Sequence, residues 1–231
     1  MKKITIAILL LLGSFSMASA ELGLRVGVST NLAVFFAEGT DTDASNPTHA
    51  GIDGHNNTSL AQTEAVTAVV PFTSIMVEKS LPGALSRFSI GVDYVPEALE
   101  SETVENQRVQ AGAGQAVSDK LNTVQISFED LTTVYGVFNV TEKFYVKAGA
   151  ISVEMKTNEN LATGGSYKDE SLSGTMAGAG FEQVFGNGVF IRGEGRLIDI
   201  DNPTKQTSGD HTISVKNFEG ASANFSIGKV F

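Results

Sequence analysis

The chain has 231 residues, 18% charged and 42% hydrophobic, a length that suits one β-rich domain. Sixteen Lys and Arg stand against 26 Asp and Glu, giving a formal charge of −10. The basic residues are scattered, which excludes a polyanion-binding surface and with it nucleic acid as a partner. The absence of Cys excludes disulfides, thiol catalysis and thiolate metal sites, and 24 Gly with only 5 Pro at this hydrophobic content does not describe disorder.

The first element is residues 1–20, MKKITIAILLLLGSFSMASA. Two lysines precede an apolar run from Ile4 to Leu12, and small residues close it at Ala18, Ser19 and Ala20. The run is too short for a spanning helix, which needs about 20 residues, and the three-part order is that of a cleaved secretory signal peptide. Residues 21–231 then form the mature domain, and no Cys follows to carry a lipid anchor.

Beyond residue 20 the signal is alternation with a period of two, the mark of strands with unlike faces. Leu22, Leu24, Val26, Val28, Thr30, Leu32, Val34 and Phe36 alternate with Gly23, Arg25, Gly27, Ser29, Asn31 and Ala33. The pattern returns in Phe88, Ile90, Val92 and Tyr94, in Thr175, Ala177, Ala179 and Phe181, and in Val189, Ile191, Gly193, Gly195 and Leu197. Eight strands are predicted over 22–37, 65–78, 87–95, 121–138, 144–155, 172–185, 189–200 and 212–231. The second, with Pro71 inside it and apolar residues on both faces, is expected to turn Ile75 and Val77 outward and Glu78 inward.

Connections alternate in length. Long polar stretches lie near 38–63, 96–120, 156–171 and 201–211, and short ones at 79–86, 139–143 and 186–188. Short turns at one end and long loops at the other describe an all-β, eight-stranded, antiparallel up-and-down transmembrane β-barrel, with the turns periplasmic. If Phe138 faces Phe144, the lipid face collects Phe138, Gly136, Val134, Phe144, Val146 and Ala148, and Asp130 pairs with Ser152 at the outer edge. Trp is absent, so the aromatic girdle falls to Phe88, Phe144, Phe185 and Phe231 at the turn end, with Tyr94 and Phe36 at the other rim. A soluble barrel would bury its bulky apolar residues and expose its charges. Here the oily face opposes one of Gly, Ser, Arg, Glu and Lys.

That polarity places Arg25, Asp93, Lys147, Glu182, Arg192, Glu194 and Arg196 in the lumen, with Glu78 and Glu129. An eight-stranded barrel is only wide enough for its side chains to fill, so charges of both signs must pair or bear a desolvation penalty of several kcal/mol each. The turn Gly186-Asn187-Gly188 makes paired residue numbers sum to 374, setting Glu182 opposite Arg192, Gly180 opposite Glu194 and Gly178 opposite Arg196. A salt-bridge network plugging the lumen is the expectation.

Other chemistry is thin. His49, His55 and His211 lie in long loops with Asp53, Ser59 and Asp210 nearby, and a Ser/His/Asp arrangement drawn from them has no spacing signature; the chain is expected not to be an enzyme. Asp41 to Ser45 imitates the start of a calcium loop, but Asn46 and Ile52 stand where Gly and Glu are required. No metal or cofactor is expected beyond weak divalent-cation binding by loop acids. Glu97, Glu100, Glu102, Glu105 and Asp119 make the second loop acidic, and Pro96 to Glu100 carries a signal for a short helix.

The last strand alternates through Ala221, Ala223, Phe225, Ile227 and Phe231. This resembles the C-terminal recognition signal of bacterial outer-membrane proteins, and with the leader and eight alternating runs the chain resembles the small OmpA/OmpX-type barrels, without a peptidoglycan-binding domain after Phe231. The resemblance implies a monomer in the outer membrane of a Gram-negative cell. Its partners would be the barrel-assembly machinery, periplasmic chaperones, outer-membrane lipid and lipopolysaccharide. The function expected is a structural or surface role with a largely plugged lumen and acidic extracellular loops; the alternatives are a narrow porin passing small solutes and a loop-mediated adhesin or receptor.

Overall fold

A computed structural model describes residues 23–43, 61–110, 118–160, 166–204, 206–208 and 211–231. The leader, most of the first long loop with His49, Asp53, His55 and Ser59, and Asp210 lie outside the described residues. The period of two is realised as strands: β1 (Leu24–Asp43), β2 (Ala61–Ser80), β3 (Phe88–Tyr94), β4 (Leu99–Glu100), β5 (Val104–Gln110), β6 (Ser118–Asn139), β7 (Phe144–Asn160), β8 (Glu170–Val184), β9 (Val189–Ile200), β10 (Gln206–Ser208) and β11 (His211–Val230). Every neighbouring pair is antiparallel, and β11 returns to β1, so the sheet closes on itself. β3, β4 and β5 follow one another along the same edge of β6 and form one interrupted wall. β10 adds a short rung on β11 above β9. The result is an eight-walled barrel of the outer-membrane type.

The polarity is inverted relative to a soluble barrel. Val28 (55% exposed), Val134 (58%), Ile90, Phe144, Val146, Leu197, Phe225 and Ile227 face outward, whereas Arg192 (4%) and Glu194 (7%) are buried. Ile75 faces outward and Glu78 inward, in line with the sequence pattern. Such an exterior suits hydrocarbon and such an interior does not. At the turn end Phe88, Phe144, Phe185 and Phe231 are exposed. Two ring pairs strengthen this girdle: Phe88–Phe138 at 4.9 Å and Phe144–Phe181 at 5.5 Å between centroids.

Several details depart from the sequence expectation, each for an identifiable reason. Phe138 pairs with Val146 rather than Phe144, because Thr141 Oγ1 accepts the amides of Lys143 and Phe144 and so centres the turn one residue later. The slip is by two in the sum of residue numbers, so the lipid face is unchanged. Ser152 pairs with Thr132, and Asp130 sits instead in a bulge at φ 53°, where the hydroxyl of Tyr94 donates to it at 3.1 Å. A bulge exchanges the two faces of a strand. Above it Phe128 and Ile126 turn inward, and Glu129 leaves the lumen side to pair with Lys156 on the exterior. The stretches read as loops are largely strand: β1 and β2 pair as far as Thr42–Ala61, and β5 forms a hairpin with β6. Above the membrane both sheet faces are wet, so pairing continues without any apolar alternation. Pro96 to Glu100 forms no helix; Leu99 and Glu100 are β4.

The interrupted wall leaves a seam. β2 pairs with β3 only from Ile75 to Ser80, whereas its pairing with β1 runs on to Ala61; among the described residues its other edge is open from Thr73 upward. Continuing the β2–β3 register would set Thr73 opposite Pro96, which has no N–H to give. The Glu97 carboxylate takes the acceptor role that the Pro96 carbonyl would have had, receiving both the Thr73 amide and its hydroxyl at 2.9 Å. Two residues along, the same alternation puts the ring nitrogen of Pro71 on the open side, the position where a strand tolerates proline.

Two outcomes test this description. Val134→Arg, with a charge near mid-depth on the lipid face, should destabilise the barrel by about 2–4 kcal/mol, against about 0–1 for Val140→Arg in the periplasmic turn, read by urea unfolding in lipid vesicles. The bonds from Thr73, first its amide and then its hydroxyl, hold the Glu97 carboxyl below its ordinary value of 4.5. The latch is therefore intact above that value and is lost as pH falls through the lowered one. Hydrogen-exchange protection of the Thr73 amide should drop in that acidic window, and in Glu97→Ala at every pH.

Candidate functional site

The barrel interior is layered. Nearest the turns, Phe190 is wholly buried, its ring packed over Gly27 and Gly228, where a Cβ on either glycine would approach it to 3.0 and 2.6 Å. Above it lie the charges. All seven side chains singled out from the sequence, Arg25, Asp93, Lys147, Glu182, Arg192, Glu194 and Arg196, line the interior on the lumen-facing positions of β1, β3, β7, β8 and β9. The β8–β9 register pairs Glu182 with Arg192, Gly180 with Glu194 and Gly178 with Arg196.

The charges fall into two groups. In the lower one Arg192 donates to Glu78 at 2.8 and 3.3 Å and to Glu182 at 3.0 Å. Arg25 reaches the other Glu182 oxygen at 3.2 Å and Ser80 at 2.6 Å. In the upper group Glu194 receives Lys147 at 3.4 Å and also pairs with Arg196, which reaches Asp93 at 2.9 Å. Four cations, Arg25, Lys147, Arg192 and Arg196, meet four anions, Glu78, Asp93, Glu182 and Glu194, so the ionised network has no net charge.

Two tyrosines absent from the sequence reading join the groups. Tyr135 donates to Glu78 of the lower group at 3.4 Å and presents its ring to Lys147 of the upper group, 3.6 Å from the centroid. Tyr145 does the reverse, donating to Glu194 at 2.6 Å and lying beneath Arg192 at 4.8 Å. Each ring occupies space left by a glycine on the next strand: a Cβ on Gly91 would come within 2.6 Å of Tyr135, and one on Gly180 within 2.5 Å of the Tyr145 ring. Their signal was in the sequence, since both stand on lumen-facing positions between residues assigned to lipid. Hydroxyl and amide groups fill the β11–β1–β2 side, where Asn31 bonds Ser74 at 3.2 Å and also Asn224, and Ser29 meets Ser226 at 2.7 Å.

The loop-side third is apolar. Ala33, Phe72, Val95, Leu99, Val153, Met155, Leu172 and Ile200 form two buried clusters, and Phe218 bridges Phe35 and Phe128 with centroids at 5.9 and 5.5 Å. Between this cap and the charges lies a cavity of about 20 Å³, bordered by Asp93, Arg196, Thr133 and Met176. Asp93 Oδ1 is buried there without a hydrogen-bond partner, and the space is that of about one water molecule. The expected polar lumen is thus only its lower part, because the β6 bulge delivers Phe128 and Ile126 to the inside above it.

Chemically this interior sets each charge against one of opposite sign. It presents no gathered metal ligands among the described residues. Phe225, Ile227 and Phe231 of the last strand face outward, and Phe231 closes the ladder with Leu24 through bonds of 2.8 and 3.2 Å.

No protein-family model matches the chain, and no curated relative matches it in sequence. Solved structures similar to it include Ail, the attachment invasion locus protein of Yersinia pestis, at 12% identity over 87% of this chain and 98% of that one, with a TM-score of 0.33. Neisserial surface protein A is 12% identical over 87% and 97%, with a TM-score of 0.36. The outer membrane protease OmpT from Escherichia coli is 11% identical over 92% and 100%, with a TM-score of 0.42.

The expectation that the chain is not an enzyme does not stand, since one of the solved structures similar to it is an outer membrane protease. Of the residues from which a Ser/His/Asp arrangement was drawn, only His211 is in a described segment. The register sets it beside Asp43 of β1 and Ser208 of β10.

The network makes a quantitative demand. Removing one member of a buried ion pair strands its partners and typically costs about 3–5 kcal/mol, so Glu194→Ala, which leaves Lys147 without its carboxylate and Arg196 with Asp93 alone, should lower unfolding free energy by that order. Tyr145→Phe, which removes one hydrogen bond to a charged group, should cost about 1.5–3 kcal/mol. Urea titration of the refolded barrel, followed by its heat-modifiable gel mobility, reads both.

Proposed function

We propose that the protein is an integral outer-membrane barrel with a closed lumen, serving the envelope as a structural and surface-displaying element rather than as a channel. The observation that carries this reading is the stacking of a charge-neutral, mutually bonded network beneath an apolar cap. An ion moving along the axis would have to displace paired side chains and then cross a dry layer with no polar group to solvate it. The apolar belt would contact outer-membrane lipid and lipopolysaccharide, and the outward Phe225, Ile227 and Phe231 support handling by the barrel-assembly machinery. Above the belt, the paired extensions of β1, β2, β6, β7 and β11 would hold the long acidic loops clear of the membrane.

Planar-bilayer recording of the refolded chain tests this. The expected result is no steady ohmic step in molar salt, and none in Glu194→Ala, where the apolar cap is still in place. A large ohmic conductance in the unaltered chain would overturn the closed-lumen reading in favour of a narrow pore for small solutes.

A further inference from the structure

Among the described residues no strand pairs with the edge of β2 that faces away from β1 above Ile75, and β4 and β5 pair with β6 alone. Zippering from the bottom is blocked twice. The continued register requires a bond from Pro96 to Thr73 and, at the next equivalent step, one from Pro71 to Ala98, and neither proline has the proton. Glu97 takes the Thr73 amide, and the chain after Tyr94 leans onto β6 alone, with Val95 donating to Leu131 at 2.9 Å and Ser101 to Ile126 at 2.8 Å. By the period of the strand, Val69, Thr67 and Ala65 direct N–H and C=O into the open side.

Natural barrels and sheets blunt an exposed edge with charge, proline, bulge or cover, and here Pro71 blunts one rung. This one carries no charged residue from Ala65 to Val77, and Val66 and Val69 are 53% and 62% exposed. The opposite rim is acidic: Glu97, Glu100 and Glu102 are all exposed. An apolar edge with unused backbone groups facing a row of carboxylates is complementary to a strand, and to a strand of particular composition. A lipid chain could cover the valines but would leave every N–H and C=O unbonded. A second copy of this barrel in the same membrane would present β2 in the same up-down sense, with its tilt reversed, so the two edges would cross rather than pair.

We propose that the open edge of β2 from Ala65 to Thr73 is a docking site for an extended peptide of alternating apolar and basic residues, added antiparallel to β2 as a further strand. The main-chain bonds supply the affinity, the apolar side chains cover Val66 on the lumen-side face of β2, and the basic ones, on the outer face that carries Val69, meet Glu97, Glu100 and Glu102. The site lies in the wall, not the lumen, so it stands apart from the closed-lumen reading: conductance reads one and peptide binding the other.

The test uses the full mature chain in nanodiscs and a fluorescein-labelled octapeptide of alternating valine and lysine, read by anisotropy. Saturable binding is expected, weakened at least tenfold in Val69→Pro and in Thr67→Pro, which remove a donor on the open side and leave the bonds to β1 in place. Val69→Ala should bind within threefold of the unaltered chain, and unchanged heat-modifiable mobility shows that the proline variants have folded. Amides of Thr67 and Val69 should exchange freely without peptide and become protected with it. The proposal is overturned if an octalysine probe binds equally well, if the proline variants that retain heat-modifiable mobility bind as the unaltered chain does, if no binding is seen, or if those amides are already protected in the free chain.

Discussion

A strand in hydrocarbon has nowhere to send its N–H and C=O groups except to another strand, so a membrane sheet must close. Everything else about this molecule follows from closing at eight walls. Closure joins β11 to β1 and ties Phe231 to Leu24. It also fixes a cylinder whose interior is about as wide as its own side chains. Whatever faces inward is then removed from bulk water whether or not it is apolar.

The consequence is seen in how the charges are arranged. In the two groups the carboxylates and cations are equal in number and each has a partner of opposite sign. Tyr135 and Tyr145 solve the remaining difficulty, which is that two separate ion clusters in a narrow cavity would repel or attract without geometric control. By donating to an acid in one cluster while offering its ring face to a cation in the other, each tyrosine fixes their relative position. Gly91 and Gly180 are the structural counterparts of those rings, since only a residue without a side chain leaves the lumen volume they occupy. Glycine in these strands therefore serves packing rather than flexibility.

How much of this could be read from the sequence depends on which rule governed each residue. Strand number, polarity and the β8–β9 register were accessible because the lipid face enforces alternation and because Gly186-Asn187-Gly188 admits few hairpin geometries. Alternation gave no account of residues above the membrane, where water bathes both faces, and so β5 and the extensions of β1, β2 and β7 were read as loops. The placement of Glu129 was wrong because Asp130 takes a left-handed conformation, and one residue at positive φ exchanges the two faces of everything beyond it. Tyr135 and Tyr145 were on the correct parity and were passed over because an aromatic between Val134 and Gly136, or beside Phe144, resembles part of an oily run.

Pro71 shows how one residue can carry two readings. In the sequence it weakened the second strand, because proline in a paired strand removes a ladder bond. In the structure the strand survives, since its bonds to β1 do not use that nitrogen, and the missing proton falls on the side where β3 has already left. Pro96 does the same from the opposing segment. Two prolines on the two rims of one seam keep it open by the same omission, and Glu97 caps the Thr73 donor beside them. A wall built to close fully would place residues with N–H groups at both positions, so the opening is written into the chain at the level of individual backbone protons rather than being a by-product of loop length.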